Sequence, residues 1–348
     1  MKKHSIHYAL SAFLVGVILL AVTACAGGVP SAESGTQHVK PAATPSGKDV
    51  ILGLTYVPNV QFSPVYVAAD SQAYMNAGAH VKLRHHGAEE GLFTALVSGH
   101  EDMVLASGDE VLQAREAGMD LVSVGTYYRR SPVAFIVPEE SQLHDLRDIA
   151  GKRIGIPGEY GSNWFALLAV LADVGLTRQD VEIIPIGYTQ QSALAQGQVD
   201  LVVGFSNNDK VFMQRSGMNV RELPVDFARI PLVSASLVTT SAWARAHPDL
   251  VRAVLNGTRQ GIQQVMTHPE EGIEATQRQD PSLSSEGLQT AREVLAATLP
   301  LFMGDDGSVS LKQDMELWQR MGDFFAEIPD ILSGAVHVDL AVTNMYVE

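Results

Sequence analysis

Aromatic and amide side chains gather in the segments that follow the predicted strands of this chain. Only 7% of its 348 residues are aromatic, yet nearly every one of these segments carries a ring. The candidate ligand-binding residues are Tyr56, Asn59, Phe62, Ser107, Asp109, Tyr127, Glu159, Tyr160, Ser162, Trp164, Tyr188, Gln190, Asn207 and Asn208. Rings paired across a cleft can sandwich a flat molecule, and amides and hydroxyls beside them supply directional hydrogen bonds. This pattern predicts a site for a flat ligand with polar edges.

Basic residues are scarce in the same segments. Apart from Arg129 and Arg130, the first lysine or arginine in them is Lys210. A phosphate or sulfonate ligand calls for arginine or for clustered helix N-termini, so we expect an uncharged ligand. Asp109 and Glu159 suit hydroxyl or amine donors of a ligand. Either could instead be a charge that the N-terminus of a helix favours.

Two other classes of function find little support. The sequence has no G-x-S-x-G elbow, P-loop, G-x-G-x-x-G or H-E-x-x-H motif, so we expect no enzyme and no cofactor. A metal-binding lipoprotein is the other alternative, because His85 and His86 precede Glu89 and Glu90. Adjacent strand residues point to opposite faces, so the two histidines would not reach one ion, and we expect no metal.

The N-terminus has the pattern of a bacterial lipoprotein. Lys2 and Lys3 precede an apolar run at about 9–22, which is too short to span a membrane and is typical of a signal peptide. It ends in Val-Thr-Ala before Cys25, the one cysteine of the chain, which we expect to become the N-terminus and to carry acyl chains such as palmitate. Residues 1–24 are thus the predicted signal peptide, and 25–48 a flexible tether rich in Gly, Ser, Ala, Pro and Thr.

The charge of the chain excludes nucleic acid as a partner. The formal net charge is -15 at pH 7, and removal of the signal peptide with its two lysines makes it more negative. An acidic surface repels phosphate backbones. We expect contact with the membrane through the lipid anchor only, and a monomer.

The hydrophobic pattern alternates between strand-like and helix-like segments, which predicts an α/β fold with helices on both faces of its sheets. The pattern restarts midway, so we predict two lobes: 49–137 with 231–348, and 138–230. Strands near 133–137 and 232–238 would cross between the lobes and form a hinge that closes on a ligand. The last hundred or so residues predict a helical C-terminal tail.

Several segments resemble one known family. Residues 52–69, 151–158, 197–204 and 248–252 are similar to the solute-binding proteins of ABC importers, in the branch that holds nitrate, alkanesulfonate, thiamine-pyrimidine and riboflavin binders. The resemblance covers essentially the whole mature chain. It implies a two-lobed periplasmic-binding-protein fold, capture of a ligand between the lobes, and delivery to a membrane permease driven by a cytoplasmic ATPase. The lipoprotein would sit at the outer face of the cytoplasmic membrane.

The loop sequences resemble one kind of ligand binder within that branch. Residues 56–62, 187–190 and 207–208 look most like the riboflavin-binding members. Pyrimidine binders typically carry a tryptophan and a histidine in the first loop, and this chain has neither there. The resemblance therefore implies riboflavin, with an aminopyrimidine precursor of thiamine as the alternative.

Overall fold

The computed structural model describes residues 48–87, 90–334 and 337–347. The predicted signal peptide, Cys25 and the tether up to residue 47 lie outside these residues. The strands are β1 (Lys48–Leu54), β2 (Ala79–His85), β3 (Met103–Ser107), β4 (Leu121–Thr126), β5 (Val133–Pro138), β6 (Arg153–Ile156), β7 (Glu182–Pro185), β8 (Leu201–Phe205), β9 (Val220–Leu223) and β10 (Ala235–Thr240).

The helices follow the alternation that the sequence predicts. They are α1 (Ser63–Asp70), α2 (Ala73–Ala77), α3 (Thr94–Val97), α4 (Gly108–Glu116), α5 (Gly161–Asp173), α6 (Gln190–Ala195), α7 (Asp209–Arg215), α8 (Ser241–Ala246), α9 (Pro248–Thr267), α10 (Pro269–Gln279), α11 (Ser285–Thr298), α12 (Met315–Ala326) and α13 (Val338–Ala341). Short 3-10 turns cover Val60–Phe62, Leu146–Ile149, Arg178–Asp180 and Leu299–Phe302.

The strands make two five-stranded sheets of matching topology. The first sheet has the order β2-β1-β3-β10-β4 and the second the order β7-β6-β8-β5-β9. In each sheet one strand runs against its neighbours: β10 is antiparallel to β3 and β4, and β5 to β8 and β9. This confirms the predicted α/β fold with two sheets and a helical C-terminal region.

The sheet pairing moves one predicted boundary. We placed the strand at 133–137 in the first lobe, but β5 pairs wholly within the second sheet. Val133 to Val137 are all buried, and such a strand needs a neighbour on each side, which β8 and β9 provide. The irregular residues 127–132 and 224–234 make the crossings between the sheets, and each flanking strand belongs to one sheet only.

The C-terminal helices complete the packing of the first sheet. Helix α9 buries Val251, Val254 and Ile262 on one face, at the spacing of an amphipathic helix. At Gly261 a side chain would collide with the backbone of α1 at Pro64, so glycine permits the close approach of the two helices. None of the helices within the described ranges is long and apolar enough to cross a membrane.

Candidate functional site

A cavity of about 1130 Å³ lies where the segments after the strands of the two sheets meet. Cavities that enclose small molecules commonly have volumes of roughly 300–1,000 Å³, so this one can hold a ligand of some size. Ten of the fourteen predicted residues line it, namely Tyr56, Phe62, Ser107, Asp109, Tyr127, Tyr160, Ser162, Tyr188, Gln190 and Asn208. The rule that ligands bind beyond the carboxyl ends of strands thus locates the cavity.

Two of the other four predicted residues turn away from the cavity. Trp164 lies in the first turn of α5 with 4% of its surface exposed, and the guanidinium of Arg178 covers its ring at 4.7 Å from the centroid. Glu159 forms an ion pair with the same arginine, at 2.7 Å between Oε2 and Nη2. The start of α5 explains the orientation of Trp164, because successive helical residues point to different sides. Phe165, the next residue, lines the cavity instead.

Asn59 and Asn207, the remaining two, join segments that belong to different sheets. Asn59 Nδ2 donates a hydrogen bond of 3.3 Å to Asn208 Oδ1. Asn207, which is 1% exposed, donates to Gln61 Oε1 at 3.1 Å and to Thr298 Oγ1 at 2.8 Å. These bonds link the segment after β1, the segment after β8 and the end of α11 beside the cavity. We call them the amide bridge.

Aromatic rings from both sheets form one wall of the cavity. Tyr56 and Tyr188 make an edge-to-face contact with 5.0 Å between centroids. Tyr188 is 43% exposed and Tyr160 is 52% exposed, so both rings present large apolar surfaces. Gly158 has no side chain to obstruct the ring of Tyr160, which lies directly against it. Burial raises the pKa of Tyr188, as does the adjacent Tyr160, so its hydroxyl stays neutral.

A second group of rings is fully enclosed. Tyr127 and Tyr128 both lie 5.2 Å from Phe302 between centroids, and Tyr127 donates a hydrogen bond of 3.0 Å to the carbonyl of Gln61. Tyr128 lines the cavity although only 7% of it is exposed, and it was not among the fourteen residues predicted from the sequence. Its position next to Tyr127, after a predicted strand, could have identified it as a lining residue.

An acidic pair at the start of α4 faces the same cavity. Ser107 Oγ lies within hydrogen-bonding distance of Asp109 Oδ1 and of Glu110 Oε2, the latter at 2.7 Å. One hydroxyl hydrogen cannot serve both carboxylates, so one contact needs a proton on a carboxyl group that donates to Ser107 Oγ. The backbone N–H groups of Ser107 and Glu110 also donate to these carboxylates, at 2.9 and 2.7 Å. Sequence reasoning missed Glu110, although the S-x-x-E spacing is that of a capping box.

The acidic pair predicts a pH dependence of stability. Burial, and then the charge of Glu110, raise the pKa of Asp109 from 3.8 to about 8. The folded state then holds this proton more tightly than the unfolded state. The stability that the proton contributes at low pH is therefore lost as the pH rises from 3.8 to about 8. We expect the Tm of the wild type to fall more between about pH 5 and about pH 8 than the Tm of an Asp109→Asn variant, in thermal unfolding followed by circular dichroism. Parallel curves would exclude a proton at Asp109.

A buried ionic cluster lies beside the cavity. The side chain of Glu101 is 0% exposed, and its Oε1 accepts from Arg84 Nη1 at 2.6 Å and from His86 Nε2 at 2.8 Å. Arg84 also pairs with Glu90, at 2.7 Å between Nη2 and Oε1. His86 and Glu90 both line the cavity, so this cluster holds part of its wall.

His85 and His86 engage different partners. His85 Nε2 lies 3.0 Å from the hydroxyl of Tyr66, whereas His86 contacts Glu101. Within residues 48–87, 90–334 and 337–347, no three His, Cys, Asp or Glu side chains are grouped closely enough to hold a metal ion.

Comparison with known proteins agrees with this arrangement. Residues 59–272 match the family described as NMT1/THI5 like. The riboflavin-binding protein RibY of Chloroflexus aurantiacus is 30% identical over 95% of both chains. A 4-amino-5-hydroxymethyl-2-methylpyrimidine phosphate synthase of Legionella pneumophila is 24% identical over 73% of this chain and 79% of its own. The periplasmic aliphatic sulphonate binding protein SsuA of Escherichia coli shares the fold, with a TM-score of 0.67 at 18% identity over 86% of this chain and 99% of its own.

Proposed function

The chain belongs to the NMT1/THI5-like family, and we propose that it acts as the solute-binding subunit of an ABC importer rather than as an enzyme. One observation carries the proposal: a large cavity lies between two sheets of matching topology and is lined from both sides by aromatic and amide side chains. Such a cavity closes when the parts that carry the sheets move together. The relative named as a riboflavin-binding protein supports binding over catalysis.

We propose riboflavin as the ligand. Its ring system is flat and uncharged, with donors and acceptors at its edges, and it would stack on the wall of rings that Tyr56, Tyr160 and Tyr188 form. The amides of Gln190 and Asn208 lie on the same lining and suit those edges. The similarity to RibY over 95% of both chains supports this choice.

An aminopyrimidine precursor of thiamine is the second candidate. The relative from Legionella pneumophila is named for the synthesis of such a phosphate, and it matches 73% of this chain. A small pyrimidine would leave much of a cavity of about 1130 Å³ unfilled, so we favour the larger flavin. The same relative is named as an enzyme, and the titration described below distinguishes binding from chemical conversion.

The proposal includes attachment to the membrane. Residues 1–24 would direct export, and Cys25 would be acylated and hold the protein at the outer face of the cytoplasmic membrane by a tether of 25–48. The two lobes would consist of 49–132 with 231–348 and of 133–230. Once closed, the protein would dock on the permease as a monomer. Gel shift and mass spectrometry of the membrane fraction, with Cys25→Ser as the control, test the acylation.

Titration with riboflavin tests the proposed function. We would purify the full chain in detergent and follow flavin fluorescence, because stacking on tyrosine quenches it. Saturable quenching with a sub-micromolar Kd supports a flavin importer subunit. Absence of quenching, with a rise in Tm on addition of an aminopyrimidine instead, keeps the transport role and changes the ligand. Chemical conversion of either compound would contradict the binding role.

The exposed ring of Tyr160 gives a first variant. Tyr160→Ala should raise the Kd for riboflavin about tenfold, since stacking of a base on an aromatic ring contributes roughly 1–3 kcal/mol. Phe212→Ala is the matched control, because Phe212 is 43% exposed and does not line the cavity. Equal Kd values for both variants and the wild type would remove Tyr160 from the site.

A further inference from the structure

The lining of the cavity carries acidic side chains but no strongly basic ones. Its carboxylates are Glu90, Asp109, Glu110, Glu116 and Asp209. Over the part of the chain that the structure describes, no lysine or arginine belongs to the lining. Arg84 neutralises Glu90 from behind the wall. The other four carboxylates form no ion pair with any described residue, so the interior of the cavity is negative.

Asp109 and Glu110 place this charge where water is scarce. Asp109 is 2% exposed, and the two carboxylates share Ser107 with one proton between them, so the pair retains about one negative charge. A charge in such a place is not screened by salt as a surface charge is. A second anion brought into the cavity would therefore meet strong repulsion.

Two polar side chains of the lining, apart from the acidic pair, have no hydrogen-bond partner among the described residues. Gln190 is 5% exposed and lines the cavity, and its side-chain amide makes no hydrogen bond to any described residue. The hydroxyl of Tyr128 is likewise without a partner among the described residues. Because the polar atoms of both residues open onto the cavity, a ligand held there can supply their hydrogen bonds.

We propose that Asp109 and Glu110 determine specificity by charge: they admit a ligand that presents hydroxyl or amine donors, and they exclude the phosphorylated form of the same ligand. The inference rests on the proposed function and deepens it. A hydroxyl group can donate to either carboxylate, whereas a phosphate brings only acceptors and negative charge to them. The importer would then carry the free vitamin and reject its phosphate ester.

Paired titrations test the exclusion without any variant. The full chain is titrated with riboflavin and with riboflavin 5′-phosphate, both followed by fluorescence quenching. We expect the phosphate ester to bind at least about a hundredfold more weakly, since like charges brought together at a binding site cost several kcal/mol. Similar Kd values for the two compounds would overturn the inference while leaving the proposed function intact.

Charge-neutralising variants test the residues. The double variant Asp109→Asn with Glu110→Gln keeps the shape of both side chains and removes the one negative charge that the pair retains, so we expect it to reduce the ratio of the two Kd values about tenfold. Each single variant leaves one carboxylate that can hold this charge, so its ratio should change less. Glu140→Gln, an exposed residue in a turn, changes the net charge equally and should leave the ratio unchanged. Thermal unfolding confirms that each variant is folded, and the paired titrations of the wild type remain the test if the double variant does not fold. An unchanged ratio in the folded variants would overturn the assignment.

Failure of the proposed ligand gives a different result. If the wild type binds neither flavin, riboflavin as the ligand is wrong, and the comparison is made with 4-amino-5-hydroxymethyl-2-methylpyrimidine and its phosphate by calorimetry. Preference for the free alcohol again supports the inference. Preference for the phosphate overturns it whichever compound is the ligand.

Discussion

Replacing Tyr188 with alanine is expected to raise the Kd for riboflavin about a hundredfold, which is about 2.7 kcal/mol. The loss exceeds that expected for Tyr160 because Tyr188 has two roles. Its own ring would stack on the ligand, which contributes roughly 1–3 kcal/mol, and its edge-to-face contact holds the ring of Tyr56, which contributes roughly 0.5–1.5 kcal/mol. Fluorescence titration of the full chain measures the change.

The matched control is Tyr188→Phe, which keeps the ring and the contact with Tyr56. We expect its Kd to stay within about threefold of the wild type, because the hydroxyl that it lacks contributes about 0.5 kcal/mol when it remains partly exposed. A hundredfold loss in both variants would assign the effect to the hydroxyl instead of the ring. Unchanged affinity in Tyr188→Ala would contradict stacking at this wall of the cavity.

Replacing Arg84 with methionine should lower the free energy of unfolding by about 3 kcal/mol. The variant leaves the fully buried Glu101 with His86 as its remaining partner, and a buried carboxylate that loses one partner destabilises a protein by roughly 3–5 kcal/mol. The loss lies at the lower end because Arg84 is itself 40% exposed. Urea denaturation followed by tryptophan fluorescence measures it.

Two further variants isolate the cause. The double variant Arg84→Met with Glu101→Gln removes the charge as well as its partner, so it should lose about 1 kcal/mol and be more stable than the single variant. Arg215→Met breaks the pair with Glu293, which is 41% exposed, and should cost at most about 1 kcal/mol. If Arg84→Met and Arg215→Met were equally unstable, burial of Glu101 would not be the reason.

The strands and the long helices could be predicted because their patterns are local. Burial alternates along β2, and the apolar residues of α9 recur at helical spacing, so both elements have a signal in the sequence. Helix α7 has almost none, since Met213 is its one buried residue and Asp209 begins it after a run of polar residues. A helix with a single buried side chain has almost no hydrophobic periodicity.

The site could be located but not resolved into its parts. The ends of strands are visible in a sequence, so Tyr56 and Tyr188 were found. Which way a side chain points depends on the exact turn at which a helix begins, and for that reason Trp164 was placed in the cavity when it packs under Arg178. The strand at 133–137 was recognised from its apolar run, but the choice of its sheet depends on pairings with residues far along the chain.

The position of β10 between β3 and β4 has a consequence for how the chain folds as it is made. β3 ends at Ser107, whereas β10 begins at Ala235, and among the strands of the structure β4 pairs with β10 alone. The first sheet therefore cannot finish until the whole second sheet has been synthesised, and contacts so distant in sequence form slowly. A chain whose first sheet stays open for so long could still pass through an export channel, as the signal peptide proposed at residues 1–24 would require.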